Sequence, residues 1–210
     1  MTYPIGKFCP KPFEYLEIDT DGNAWVCCQD WLNKSIGNLH HHSIDEVWNS
    51  TVAQKIRASI LDGSYKYCNS DTCPALIQQT LQSTNSIADI SLRSIINQGL
   101  ISLKDGPRVL NLGYDNSCNL KCPTCRSEII TLKGIAFEKA KKLQRKIVDQ
   151  AFKNADLVII TGHGDAFASR LFRELLQTLD VSNYPKIRII LMTNGLLLTE
   201  GMWASMRKIH

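Results

Sequence analysis

The chain has 210 residues, of which 44% are hydrophobic and 21% charged, with a net charge of +4 and an isoelectric point near 8.6. This composition excludes a disordered chain, and the length allows one large domain or two small ones. No run approaches the roughly 18 consecutive apolar residues of a membrane-spanning helix, and MTYPIGKFCPKPF lacks the basic start and apolar stretch of a secretory signal. The expectation is a soluble cytoplasmic protein without membrane contact. In it, eight cysteines stay reduced and serve metal or redox chemistry rather than disulfides.

The first segment carries Cys9, Cys27, Cys28, Cys68 and Cys73. In YLEIDTDGNAWVCC, Leu16 and Ile18 alternate with polar residues, Asp21-Gly22 supplies a tight turn, and Ala24 to Val26 return as a second strand. The hairpin therefore brings Cys27 and Cys28 to its end. Ser43-Ile-Asp-Glu46 reads as a capping box that starts a helix. Ile44, Val47 and Trp48 lie on one face of that helix, which runs on through Val52, Ile56 and Ile60 to a stop at Gly63. Cys68 and Cys73 follow in a polar loop. His40, His41 and His42 stand directly before the cap and read as solvated.

Ser83 to Gly99 reads as a linking helix, and Lys104-Asp-Gly-Pro107 as a boundary turn. Val109 to Leu112 is a short apolar strand leading into SCNLKCPTCR. The stretch from about Thr131 to Asn154 carries Leu132, Ile135, Ala136, Leu143, Ile147, Val148 and Phe152 at helical spacing. Its basic cluster of Lys139, Lys141, Lys142, Arg145 and Lys146 reads as a solvated face rather than a nucleic-acid footprint. Leu157 to Ile160 is a strand ending in Gly162-His-Gly-Asp165. A helix over Leu171 to Leu179 follows, then a strand over Ile187 to Met192 ending in Thr193-Asn-Gly195, then a last helix near Glu200. Strand and helix alternating three times describe a parallel sheet with right-handed crossovers. Its polar and cysteine-bearing loops gather at the carboxyl edge, where α/β proteins build their sites.

Cys118, Cys122 and Cys125 are spaced CxxxCxxC. Soft thiolates select zinc or iron–sulfur clusters. A 4Fe–4S cube needs one ligand per iron, so three cysteines leave one iron open to a small molecule. A zinc site completed by His163 is the competing reading.

In YDNSCNLKCPTCR the chain resembles the radical S-adenosylmethionine enzymes, whose three-cysteine loop follows the first strand of a partial (β/α) barrel. The resemblance implies that Cys118, Cys122 and Cys125 hold a 4Fe–4S cluster whose open iron binds S-adenosylmethionine. Reductive cleavage of that cofactor would yield a 5′-deoxyadenosyl radical that takes hydrogen from a substrate, an oxidoreductase-type chemistry. It implies cofactor-binding roles for Gly162, Gly164 and Asp165 after the second strand and for Asn194 after the third. Thr124 stands where the family often has an aromatic residue, and Ala166 where proline is common. A reductant protein is an implied partner and a peptide the implied substrate class; the catalytic base is not specified.

The N-terminal text, Cys9 followed by IDTDGNAWVCC, IGNLHHHSIDEVWN and the Cys68–Cys73 pair, resembles the auxiliary iron–sulfur domain called SPASM or its shorter twitch form. That resemblance implies Cys9, Cys27, Cys68 and Cys73 as ligands of an auxiliary 4Fe–4S cluster. Adjacent strand residues face opposite ways, so Cys27 and Cys28 do not both serve one cluster, and the Gly-to-Cys spacing favours Cys27. A structural zinc is the alternative for a closed four-cysteine site.

The expected fold class is α/β: a small α+β cysteine-rich domain over residues 1–82, a helical linker over 83–106, and a partial radical-SAM barrel of about three βα units over 107–210. The barrel is expected to be incomplete, as a fragment or as one half completed by another chain. Two other functions stay open, a non-catalytic iron–sulfur or electron-transfer module and a zinc-structured binding protein.

Overall fold

The computed structural model describes residues 6–160, 163–206, 208 and 209. The chain is mixed α/β and divides into two compact units, one within residues 1–17 and 23–107, the other within 18–22 and 108–210.

In the first unit, β1 (Lys7–Phe8) leads through Cys9 into the short α1 (Lys11–Glu14). Strand β2 (Tyr15–Ile18) is joined to its hydrogen-bonded neighbour β3 (Asn23–Trp25) by the anticipated turn. Gly22 closes that turn at φ +77°, donating to the Asp19 carbonyl at 3.0 Å, in a conformation that glycine adopts without steric cost. Strand β4 (Gly37–Asn38) pairs antiparallel with β3.

Sequence periodicity reads one helix from Ile44 to Ile60; the chain makes two, α2 (Ile44–Trp48) and α3 (Thr51–Leu61). The Ser43–Glu46 capping box forms as read, but Ser50 opens a second helix by accepting from Ala53 N–H at 3.2 Å. The break leaves half-buried Asn49 to bond a distant segment. Its Oδ1 accepts from Leu103 N–H at 2.8 Å and its Nδ2 donates to the Leu103 carbonyl at 2.9 Å. Periodicity reports which face is apolar, whereas a cap overrides it locally.

After α4 (Pro74–Ile77), strand β5 (Gln82–Ser83) pairs antiparallel with β1. The linking helix is shorter than Ser83 to Gly99. Helix α5 (Ile90–Gln98) starts on an Asp89 cap and ends at left-handed Gly99. The segment that follows packs onto the first unit rather than spanning between domains. Trp48 Nε1 donates to the Asp105 carbonyl at 3.0 Å.

Arg57, wholly buried, ties these pieces together. Its Nε donates to the Pro12 carbonyl at 2.8 Å and its Nη1 to the Ile101 carbonyl at 3.0 Å, while the guanidinium stacks 4.4 Å from the Trp48 ring. Burial weakens its hold on the proton, yet guanidinium basicity keeps it charged at neutral pH.

In the second unit β6 (Val109–Leu112), β7 (Leu157–Ile160) and β8 (Arg188–Leu191) run parallel, with Leu112, Ile160 and Leu191 level at one edge. Each is followed by a helix: α6 (Gly134–Ala151), α7 (Arg170–Thr178) and α8 (Glu200–Ser205). The buried stripe of α6 is Phe137, Ala140, Leu143, Gln144, Ile147 and Ala151. Leu132 precedes the helix, and Ile135, expected on that stripe, is 79% exposed. Of the basic cluster, Lys139, Lys142 and Arg145 are exposed, and Lys141 pairs with Glu174 at 3.1 Å. Among the described residues no helix is long and apolar enough to cross a membrane.

Replacing Arg57 by Met should lower the urea midpoint of the full chain, costing roughly 3 kcal/mol because two buried carbonyls lose their donor. Equilibrium denaturation followed by tryptophan fluorescence measures this; an unchanged midpoint would show that the guanidinium is not holding the unit together.

Candidate metal centres

In the first unit, Cys9 lies between β1 and α1, Cys27 and Cys28 follow β3, and Cys68 and Cys73 flank the turn between α3 and α4. The Cys68–Cys73 loop is stitched to the segment after Cys28 by Asn69 N–H on the Trp31 carbonyl at 2.7 Å and by the Thr72 hydroxyl on the Asp30 carbonyl at 2.6 Å. Tyr65 braces the other side. Its carbonyl accepts from Cys68 N–H at 2.8 Å and its hydroxyl donates to the Lys7 carbonyl, two residues before Cys9, at 2.9 Å.

The thiols sense one another. Burial pushes Cys27 up from its ordinary 9.0 to about 12, relieved partly by the Lys11 charge and reinforced by Cys9 and Cys73. Cys68 is also pushed up to about 12, by burial first and then by Cys9, Cys27 and Cys73. Burial raises Cys9 too, with Cys73 adding to it. The structure therefore brings Cys9, Cys27, Cys68 and Cys73 into one neighbourhood, on which Cys28 acts only through a backbone hydrogen bond to Cys27 and not through its thiol. Lys11 completes the setting. Its ammonium lies 4.7 Å from the Tyr15 ring centre and 5.0 Å from that of Trp31.

In the second unit three loops meet at the carboxyl edge of the sheet. The cysteine loop is pinned at its base, where Cys118 N–H donates to the Ile130 carbonyl at 2.9 Å and Leu132 N–H to Ser117 Oγ at 2.9 Å. Buried Asp115 accepts from Ser117 N–H at 2.8 Å and from the Ser169 hydroxyl at 2.6 Å. Cys118 is half-buried; Cys122 and Cys125 are exposed, on a turn closed by Cys125 N–H to the Cys122 carbonyl at 2.9 Å. Arg126 reaches from that turn to the Asn116 carbonyl at 2.8 Å and to the His163 carbonyl.

Asp165 is 1% exposed, and both its oxygens are occupied. Oδ1 accepts from Phe167 and Ala168 N–H at 2.9 and 3.0 Å; Oδ2 accepts from the Thr193 hydroxyl at 2.8 Å and Asn194 N–H at 2.7 Å. Four donors fill the four lone-pair sites of a carboxylate. The carboxylate is thus turned inward as a clamp between loops. Asn194 reaches the cysteine loop, its Nδ2 donating to Asn119 Oδ1 at 2.9 Å. Gly164 presses on the same loop: a Cβ there would lie 2.6 Å from the Ser117 carbonyl oxygen, so only glycine fits. Gly162 lies outside the described residues.

The side chain of His163 is exposed, as are those of His40, His41 and His42. Among the described residues no three His, Cys, Asp or Glu side chains are close enough to bind one metal ion together. The donor chemistry fits iron–sulfur clusters in both units. Four thiols in one neighbourhood match the ligand number of one such cluster, and the second unit offers three thiols on one loop.

Residues 9–74 match the SPASM family, described as an iron–sulfur cluster-binding domain. The match begins on Cys9 and ends one residue after Cys73. The chain therefore carries a SPASM iron–sulfur cluster-binding domain in its N-terminal part, a domain that occurs in radical S-adenosylmethionine enzymes. No curated protein and no solved structure matches the chain.

Sequence reasoning missed the supports. Asp115, Ser117 and Arg126 stand in the quoted cysteine stretch without being candidate ligands, Ser169 lies beyond the glycine motif, and Tyr65 and Lys11 stand near the cysteines without ligating character. Asp115 and Ser117 carry a local signal, an Asx-turn spacing before the first cysteine. The reach of Arg126 across 37 residues to His163 carries none.

Two outcomes follow. Raised thiol pKa values favour the protonated form in the fold. Below about pH 9 folded and unfolded chains hold these protons alike; above it the unfolded chain releases them first. The iron-free chain should therefore keep its urea midpoint up to about pH 8 and lose stability as pH climbs from 9 towards 12. The iron-loaded chain, with its thiolates bonded, should not show this loss. Asp165→Asn should cost roughly 2 kcal/mol, since an amide NH2 would face two donors that now point at an oxygen. Denaturation curves for that variant test the clamp, and wild-type stability would show that the loops hold without it.

Proposed function

We propose that the chain is a radical S-adenosylmethionine protein whose first unit holds an auxiliary 4Fe–4S cluster. In this reading Cys9, Cys27, Cys68 and Cys73 ligate the auxiliary cluster, and Cys118, Cys122 and Cys125 hold the cofactor-binding cluster. The observation that carries it is the three-thiol loop clamped to the loops after β7 and β8, in a chain that also has a SPASM domain. When bound, that cluster would supply the electron for reductive cleavage of S-adenosylmethionine and, through it, hydrogen abstraction from a substrate.

The chain's own residues set the geometry. Asp115 and Ser117 fix the base of the cysteine loop, on which Cys122 and Cys125 are exposed and Cys118 is half-buried. Gly164 leaves room for close backbone approach, and Asn194 bridges the third loop to the first. With the Asp165 oxygens spent, a cofactor amine would have to find its acceptors elsewhere than on that carboxylate. A reductant protein delivers the electron, and a peptide is the proposed substrate class. Among the described residues β8 ends the strand order, so its outer edge is available for a further strand that would extend the partial barrel.

The inward Asp165 also favours a second reading, a cluster-binding electron-transfer module that never cleaves the cofactor. One experiment separates them: anaerobic reconstitution of the full chain with iron and sulfide, then EPR of the reduced protein with and without S-adenosylmethionine, and assay for 5′-deoxyadenosine. The expected outcome is two cluster signals, one altered by the cofactor and lost in Cys122→Ala, with product formed. The other signal should be lost in Cys27→Ala and kept in Cys28→Ala. Two clusters that ignore the cofactor would establish the electron-transfer module, and zinc in place of iron would overturn both.

A further inference from the structure

Arg126 follows the third cysteine of the loop and is no ligand, yet its guanidinium has the most specific surroundings in that loop. Its Nη1 donates to the Asn116 carbonyl at 2.8 Å, two residues before Cys118. Its Nη2 donates to the His163 carbonyl and stands 3.6 Å from Cys125 Sγ. The backbone fixes where the side chain starts, because Arg126 N–H donates to the Cys122 carbonyl at 3.0 Å. One planar fork therefore joins the start of the loop, its end and the loop after β7. A lysine has the charge but only a single nitrogen, and cannot address these points together.

We infer that Arg126 is the positioning residue of the three-cysteine loop and that its guanidinium, hydrogen-bonded to the Cys125 sulfur, raises the reduction potential of the cluster held there. The electrostatic half of this inference rests on the cluster reading above; the positioning half does not. Reduction adds negative charge to a cluster. A fixed cation with an N–H on a ligand sulfur stabilises the reduced form over the oxidised one, and hydrogen bonds to the sulfurs are among the terms that set such potentials. Cys122 and Cys125 are exposed, so water competes for their charge and a preplaced donor has more to contribute than another solvent molecule.

The test uses the full chain and the variants Arg126→Gln and Arg126→Lys. In reconstituted protein, the cluster signal that Cys122→Ala removes is followed by EPR through a redox titration. The midpoint should fall in Arg126→Gln, which keeps a donor but loses the charge, and fall less in Arg126→Lys. In iron-free protein, trypsin cleavage after exposed Lys121 is followed by mass spectrometry. Cleavage should be about tenfold faster in Arg126→Gln, the change expected for losing roughly 1.4 kcal/mol of loop-closing interaction. Circular dichroism confirms that each variant keeps its helices. Wild-type midpoints in both variants overturn the electrostatic role, and wild-type cleavage rates overturn the positioning role. If even the unmodified chain forms no cluster on these cysteines, the cluster reading fails, and the cleavage comparison still decides whether Arg126 holds the loop.

Discussion

A carboxylate taken out of water has to find donors for its oxygens, and in the second unit that requirement organises the carboxyl edge of the sheet. Asp165 takes two donors from its own loop and two from the Thr193–Asn194 loop, and its N–H donates to the Ser117 carbonyl at 2.9 Å. Removing any one of these partners leaves a buried charge short of a hydrogen bond, which is costly. The loops after β6, β7 and β8 are therefore held in mutual register by one residue, its carboxylate tying the second to the third and its backbone N–H tying the second to the first. Asp115 repeats the device on a smaller scale, joining Ser117 to the Ser169 cap of α7.

The first unit solves a different problem. Three thiols that share a neighbourhood and are partly shut away from water resist ionising, as the upward shifts of Cys9, Cys27 and Cys68 show. A metal cluster needs them as thiolates. Binding must displace protons that the fold holds tightly, and metal–sulfur bonding has to exceed that cost. Lys11, clasped by Tyr15 and Trp31, lowers it by placing a positive charge beside Cys9 and Cys27.

Much of this was legible from residues alone. Val109 to Leu112 and Leu157 to Ile160 form strands at the expected residues because short β-branched and leucine runs bounded by turn chemistry have few alternatives. The Ser43–Glu46 capping box worked because its signal is wholly local. The break at Asn49–Ser50 was missed because its cause is distant: Asn49 is needed by Leu103, 54 residues away. Ile135 was placed on the buried stripe because periodicity cannot tell where a helix begins, and Gly134 begins it one residue earlier. The hydrogen-bond partners of Asp165 were not legible for a related reason. A Gly-x-Gly-Asp string announces a polar site, but whether its carboxylate points out to a ligand or in to neighbouring loops depends on Thr193 and Asn194, which only the parallel sheet brings near.

On the proposed reading, the two units would prepare soft-metal sites in opposite ways. A closed four-thiol site can leave much of its order to the metal, since four bonds to one cluster fix four points of the chain at once. A three-thiol site that must keep one position open gains one fewer such tie and has to expose its ligands. Its geometry must then come from the protein. Asp115, Asp165, Arg126 and Asn194 supply it with hydrogen bonds that exist before any metal arrives. The clamps are concentrated where the coordination is least complete, which is the arrangement an open site requires.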